Sequence, residues 1–177
     1  MRMLVAAVVA VLVAPPAFAG DGPSPEDRTA VADCVGLAKQ KADSAPTTET
    51  SVDPGAEAQL ERAARDAPTS AESCIGVIAS PCQETPDGSS NLGMAQCLDR
   101  ETAVWDEQLN ANYKARLADA SPDYRDALKK MQRAWIAYRD AKCESIGPEM
   151  DGSMSIPMTA SCMLTETARQ AIFLEPQ

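Results

Sequence analysis

Carboxylates, thiols and thioethers are the reactive side chains this sequence offers, because its 177 residues include no histidine. That absence excludes a Ser-His-Asp triad, a Cys-His dyad and an HExxH zinc site. Glycine-rich phosphate loops of the GxGxxG or GxxxxGK[ST] kind are missing too. For acid–base work there remain Asp99 with Glu101, or Asp106 with Glu107. Acids one or two places apart on a helix point in different directions, so neither pair aims two carboxyls at one bond. They read as a solvated face, or as partners for Arg133, Arg139 and Arg169. The expected class is a non-enzyme, with no catalytic residue and no cofactor.

The six cysteines carry the other chemistry. An even count behind a secretory leader argues for structural disulfides in an oxidising compartment. Fifteen connectivities are open; Cys143 at the end of one helix and Cys162 near the start of the last favour Cys143–Cys162, and Cys82–Cys97 with Cys34–Cys74 complete the preferred set. Zinc is the competing use, but there is no CxxC, so four thiolates would have to come from scattered positions. Met150, Met154 and Met158 have the soft ligands that copper(I) takes. Gly152, Ser153 and Pro157 argue against a regular helix there, and packing is the plainer use of those methionines. No metal site is expected.

The strongest structural signal lies in residues 94–143. Leu98, Trp105, Leu109, Tyr113 and Leu117 recur at helical steps, with Asp99, Arg100, Asp106, Glu107, Asn110, Lys114 and Arg116 between them. After a short Asp-Ala-Ser-Pro break, Ser121 can cap a second helix, Pro122 suits its first position and Asp123 its positive end. Tyr124, Leu128, Met131, Trp135 and Tyr138 form its apolar stripe. The short connection predicts an antiparallel hairpin with both tryptophans in the core. A ligand box between them is the lesser alternative.

Residues 1–19 read as a signal peptide: Arg2, the apolar run to Ala14, then Ala17-Phe18-Ala19. The run is too short to span a bilayer, and no cysteine follows at once to be lipidated. An exported protein without a membrane anchor, periplasmic or secreted, is expected. Losing residues 1–19 removes Arg2 alone, moving the formal charge from −10 to −11. Such a field disfavours nucleic acid and anionic lipid, and speeds encounter with a basic protein.

Residues 20–92 read as an alanine-rich segment of short helices packing on the core. One should open at Ser24-Pro25 and run to about Asp43, with Val31, Cys34, Val35 and Leu37 inward. A loop over 44–53 and a helix over 54–66 follow. Thr69 to Glu72 has capping-box spacing, predicting a helix that carries Cys74, Ile75, Val77 and Ile78. Residues 80–92 read as a loop pinned by Cys82. Past Cys143, residues 144–161 form a Gly/Pro/Met loop with Glu144, Glu149 and Asp151, and a last helix spans about 158–174. Its expected inner side is Cys162, Thr165, Arg169 and Ile172 or Phe173. The expected fold is all-α: a disulfide-stabilised small bundle centred on the hairpin, its main helical domain covering 93–177.

Several fixed spacings together carry a resemblance. Cys97, Trp105-Asp106-Glu107-Gln108-Leu109-Asn110 and Tyr113 are followed by Gln132-Arg133-Ala134-Trp135, Arg139-Asp140 and Cys143. Gly152-Ser153, Cys162, Thr165 or Thr167, and Arg169 come next. Over about residues 94–175 the chain resembles the LprI-like lysozyme-inhibitor domain, a family of exported helical proteins. The resemblance implies scaffold roles for Trp105, Leu109, Tyr113, Trp135, Cys143 and Cys162. Asn110, Gln132, Arg139 and Arg169 would form a buried network with Asp106. It also implies a lysozyme, or another cationic envelope protein, as partner. An exported lysozyme inhibitor that occludes the active site is the leading expectation; an envelope adaptor is the alternative, and copper handling a third. Charge and loop anchoring point to Glu144, Glu149 and Asp151 as the contact residues.

Overall fold

Ser24 and Ser121 each stand before a proline, and each caps a helix. The Asp27 amide donates to Ser24 Oγ at 3.1 Å and the Tyr124 amide to Ser121 Oγ at 3.4 Å. The proline then takes a position where no amide is needed. The computed structural model describes residues 23–43 and 68–176, and every regular element among them is helical. In order they are α1 (Pro25–Asp43), a 3-10 turn (Ala71–Cys74), α2 (Ala79–Gln83) and α3 (Asn91–Ala118). Then come α4 (Pro122–Glu144), α5 (Ile146–Glu149) and α6 (Ser155–Phe173). The all-α, disulfide-tied bundle expected from the sequence is the fold. The leader at 1–19, the loop at 44–53 and the helix at 54–66 lie outside the described residues.

α6 is the central helix. Asn112 on α3 donates to the Ala171 carbonyl at 2.8 Å, and Arg116 to the Leu174 carbonyl at 2.9 Å, so α3 and α6 run parallel. α4 runs the other way: Gln170 donates to Gln132 at 2.9 Å, while Cys143 is bridged to Cys162. The consecutive helices α3 and α4 are thus antiparallel, but it is α6, not α4, that packs along α3. Periodicity reveals that a helix has an apolar face, not which helix covers it. Ala160, Ala168 and Ala171 are buried on α6, and these small residues let α3 approach with Val104, Trp105 and Leu109.

Several inward assignments change with that arrangement. Trp105 is buried, whereas Trp135 only packs against the edge of the core. Tyr124 and Tyr138 face solvent; Leu128 and Gln132 hold the inner positions of α4. Leu37 and Phe173 are exposed, with Ala38 and Leu174 buried beside them, and Arg169 is exposed as well. α6 starts at Ser155, earlier than expected, because Pro157 falls in its first turn, where proline is tolerated. The helix expected from Thr69 is only a 3-10 turn capped at Ser70, and Gly76 at φ +104° ends it. Part of the loop expected over 80–92 is α2 and the start of α3.

The disulfides are Cys34–Cys74, Cys82–Cys97 and Cys143–Cys162, the pairs favoured from element positions. Arg116, expected at the solvent, closes the end of α6 instead. It donates to the carbonyls of Phe173, Leu174 and Glu175 at 2.8–3.1 Å, groups that no helical amide can reach.

Charge fastens α1 to α3. Arg28 grips Glu107 through two bonds of 2.7 and 2.9 Å, and Arg100 grips the buried Asp27 through two of 2.6 and 2.7 Å. The Arg100 hydrogen bonds hold the Asp27 carboxyl below its usual range, outweighing burial, which acts the other way. A depressed folded pKa makes this contribution complete above the unfolded value of about 3.9 and lost as pH falls through the folded one. Asp27→Asn should therefore lower stability at pH 7 and flatten its decline below about pH 4. Urea unfolding at a series of pH values checks this; parallel declines in both proteins would reject it.

Candidate interaction surface

The spacing Leu98, Glu101, Trp105, Leu109, Asn112 puts one carboxylate on the buried face of α3. Glu101, assigned from sequence to a solvated face, is fully buried. Its Oε1 accepts the Gly76 amide at 2.7 Å and the Trp105 indole N–H at 3.0 Å. Its Oε2 accepts the amides of Ile78 and Ala79 at 2.9 and 2.8 Å. The left-handed backbone at Gly76, easy only for glycine, turns these amides inward. With both oxygens occupied by the protein's own donors, Glu101 is a fastening for residues 76–79 and leaves no oxygen for a substrate. The same helical face holds Asn112, so a polar residue recurring within an apolar stripe was the available signal.

Of the polar motif residues, Asn110 meets Asp106, while Gln132, Arg139 and Arg169 bind elsewhere. Asn110 is exposed and donates to Asp106 on its own helix, to the carbonyl and the carboxylate, both at 2.9 Å. Gln132 is buried against Gln170. Arg139 binds the adjacent Asp140 and lies 5.0 Å above the Trp135 ring. Among the described residues Arg169 pairs with Glu72, at 3.9 Å. The expected common network with Asp106 is therefore absent, because these residues occupy different faces of α3, α4 and α6. Of the expected scaffold positions, Trp105, Leu109 and Cys143 are buried; Tyr113 and Trp135 pack against the core and Cys162 is half-buried.

One end of the bundle has a distinct character. It is built from α2, the turn into α3, α5 and the start of α6. Residues 71–99 and 143–168 contain no lysine or arginine at all. Within them Glu84, Asp87, Glu144, Glu149 and Asp151 are exposed. The Cys82–Cys97 and Cys143–Cys162 bridges tie the two segments to the core helices. A hydrogen bond of 2.8 Å from Asn91 Nδ2 to Ser153 Oγ joins them to each other. Gly152 turns the chain at φ +90°, and its carbonyl accepts both the amide and the hydroxyl of Ser155 at 3.3 and 2.9 Å. The expected loop is thus partly helical and internally bonded, with its three acids at the surface. Leu92, Met154, Ile156 and Met158, each 43–61% exposed, add apolar area to this end. Sequence reasoning missed Glu84, Asp87 and Leu92, which belong to the segment that Asn91 ties to the loop at Ser153. The run without basic residues was the legible sign.

The family model described as "Lysozyme inhibitor LprI" matches residues 82–174, more than half of the chain. The chain belongs to the lysozyme inhibitor LprI family. It is also similar to an uncharacterized protein of Rhizobium meliloti (strain 1021), 34% identical over 113 residues that cover 55% of this chain and 81% of that one. No solved structure matches. The LprI match takes in the five acids of that end, Glu101 and two of the disulfides, and leaves α1 and most of α2 outside it. The LprI family is described as one of lysozyme inhibitors, and the three disulfides agree with an extracytoplasmic setting. Among the described residues no helix is long and apolar enough to cross a membrane.

Proposed function

We propose that this LprI-family chain is an exported, non-enzymatic inhibitor that binds a cationic lysozyme and covers its active-site cleft. The observation that carries this reading is the acidic end of the bundle, free of lysine and arginine over both of its segments. Segment 144–161, bridged at its base, presents Glu144, Glu149 and Asp151 in a fixed shape, which keeps the entropy lost on binding small. The leader read in residues 1–19 would deliver the chain to the periplasm or the medium. The acidic field would steer a basic enzyme toward this end.

A lysis assay tests the reading: oxidised protein is titrated against lysozyme at low and at moderate salt. Stoichiometric inhibition is expected, and it should weaken as the screening length shortens from about 30 Å at 0.01 M to about 8 Å at 0.15 M. The double variant Glu149→Ala, Asp151→Ala should raise the inhibitory concentration about tenfold at low salt. Unchanged potency in a folded variant would reject this contact surface. No inhibition of several lysozyme classes by folded wild type would favour the envelope-adaptor reading.

A further inference from the structure

Beside the acidic end runs a groove of about 410 Å³ between α2, the first half of α3 and the first turns of α6. Its apolar walls are Ile75, Met94, Leu98, Met154, Met158 and Leu164. Met154 and Met158 are 47% and 43% exposed. Unbranched, polarisable thioethers re-pack around apolar side chains of different shapes, which suits a surface that accepts varied sequences.

Exposed acids adjoin the wall residues along the chain. Glu84 directly follows Gln83, a wall residue. The Asp87 backbone packs on Gly93, next to the wall residue Met94. Asp151 stands three residues before Met154. No cation of segments 71–99 or 143–168 opposes these acids. Arg169 lies toward the far end, one turn beyond the wall residue Thr165, and Glu72 sits 3.9 Å from it.

We infer that this groove binds a cationic amphipathic peptide segment, its apolar side chains among the methionines and its cations over Glu84, Asp87 and Asp151. An apolar stripe at i, i+3, i+4 spacing flanked by lysines has the matching pattern. The groove shares Met154 and Met158 with segment 144–161, but its use differs from the one proposed for lysozyme. There a projecting segment of this chain enters a partner's cleft; here a partner's segment enters this chain.

The test uses the oxidised full chain and a fluorescent helical peptide of leucines and lysines, read by anisotropy. A second peptide keeps the leucines with glutamate for every lysine; a third keeps the lysines with serine for every leucine. The first should bind at least about tenfold more tightly than either control. Met154→Gln with Met158→Gln, both at exposed positions and adding no charge, should weaken it by a similar factor, as should Ser161→Trp, which fills the groove. Circular dichroism identifies any variant that fails to fold. Equal binding of the leucine–glutamate peptide would overturn the charge selection. Equal binding of the lysine–serine peptide, or full affinity in both folded groove variants, would overturn the groove. Peptide binding without lysozyme inhibition leaves this inference standing and rejects the inhibitor reading; the reverse result does the opposite.

Discussion

Replacing Glu101 by alanine is expected to cost about 3–5 kcal/mol of folding stability, among the largest losses a single change can produce here. The three backbone amides of Gly76, Ile78 and Ala79 and the Trp105 indole would lose their acceptor in a site closed to solvent. Each buried donor left unpaired costs about 1–3 kcal/mol. Glu101→Gln is informative because it conserves volume. Either orientation of the amide sets its NH₂ group against two N–H donors, so a loss of about 2–4 kcal/mol is expected. Urea unfolding measures both changes, and amide exchange at residues 76–79 should accelerate first. A glutamine variant within about 0.5 kcal/mol of wild type would sink the fastening role.

The second large effect should come from the bridge beneath the acidic segment. Cys143→Ser with Cys162→Ser releases a loop whose ends are 19 residues apart, worth about 3 kcal/mol in the chain-entropy model. Cys143 is completely buried, so a serine there adds an unsatisfied hydroxyl to the loss. Beyond stability, segment 144–161 would sample more shapes, and proteolytic nicking within it should become faster. Chemical unfolding and limited proteolysis under non-reducing conditions check the two parts separately. A stability loss below about 1 kcal/mol with unchanged cleavage would mean that the Asn91–Ser153 contact and the packing of α6 hold the segment without the bridge.

Local chemistry was legible in the sequence where it acts over a few residues. Ser24-Pro25 and Ser121-Pro122 announced their helices because capping is a short-range contact. Cysteine positions favoured pairs that the fold joins, since each pair links two elements that pack together. What depends on distant partners was hidden. Tyr124 and Tyr138 look like core residues on α4, but α6 covers only the face of Leu128 and Gln132. Glu101 looks solvated until the turn at Gly76 supplies its donors from 25 residues away. The acids at 144, 149 and 151 were visible as a group; joining Glu84 and Asp87 to them required the start of α3 and the loop after α5 to meet at Asn91 and Ser153.

The parallel pairing of α3 with α6 governs when this chain can fold. Asn112 and Ala171 are 59 residues apart in sequence, and Arg116 and Leu174 are 58. Their contacts close only after all of α4 has been made, and such non-local closure is slow compared with forming a single helix. A chain entering its compartment N-terminus first would therefore stay open through most of its passage, then complete its core when α6 arrives. The Cys82–Cys97 bridge spans 15 residues within the earlier part, whereas Cys143–Cys162 must wait for the last helix. Late closure of that bridge would make the acidic end the final region to take shape.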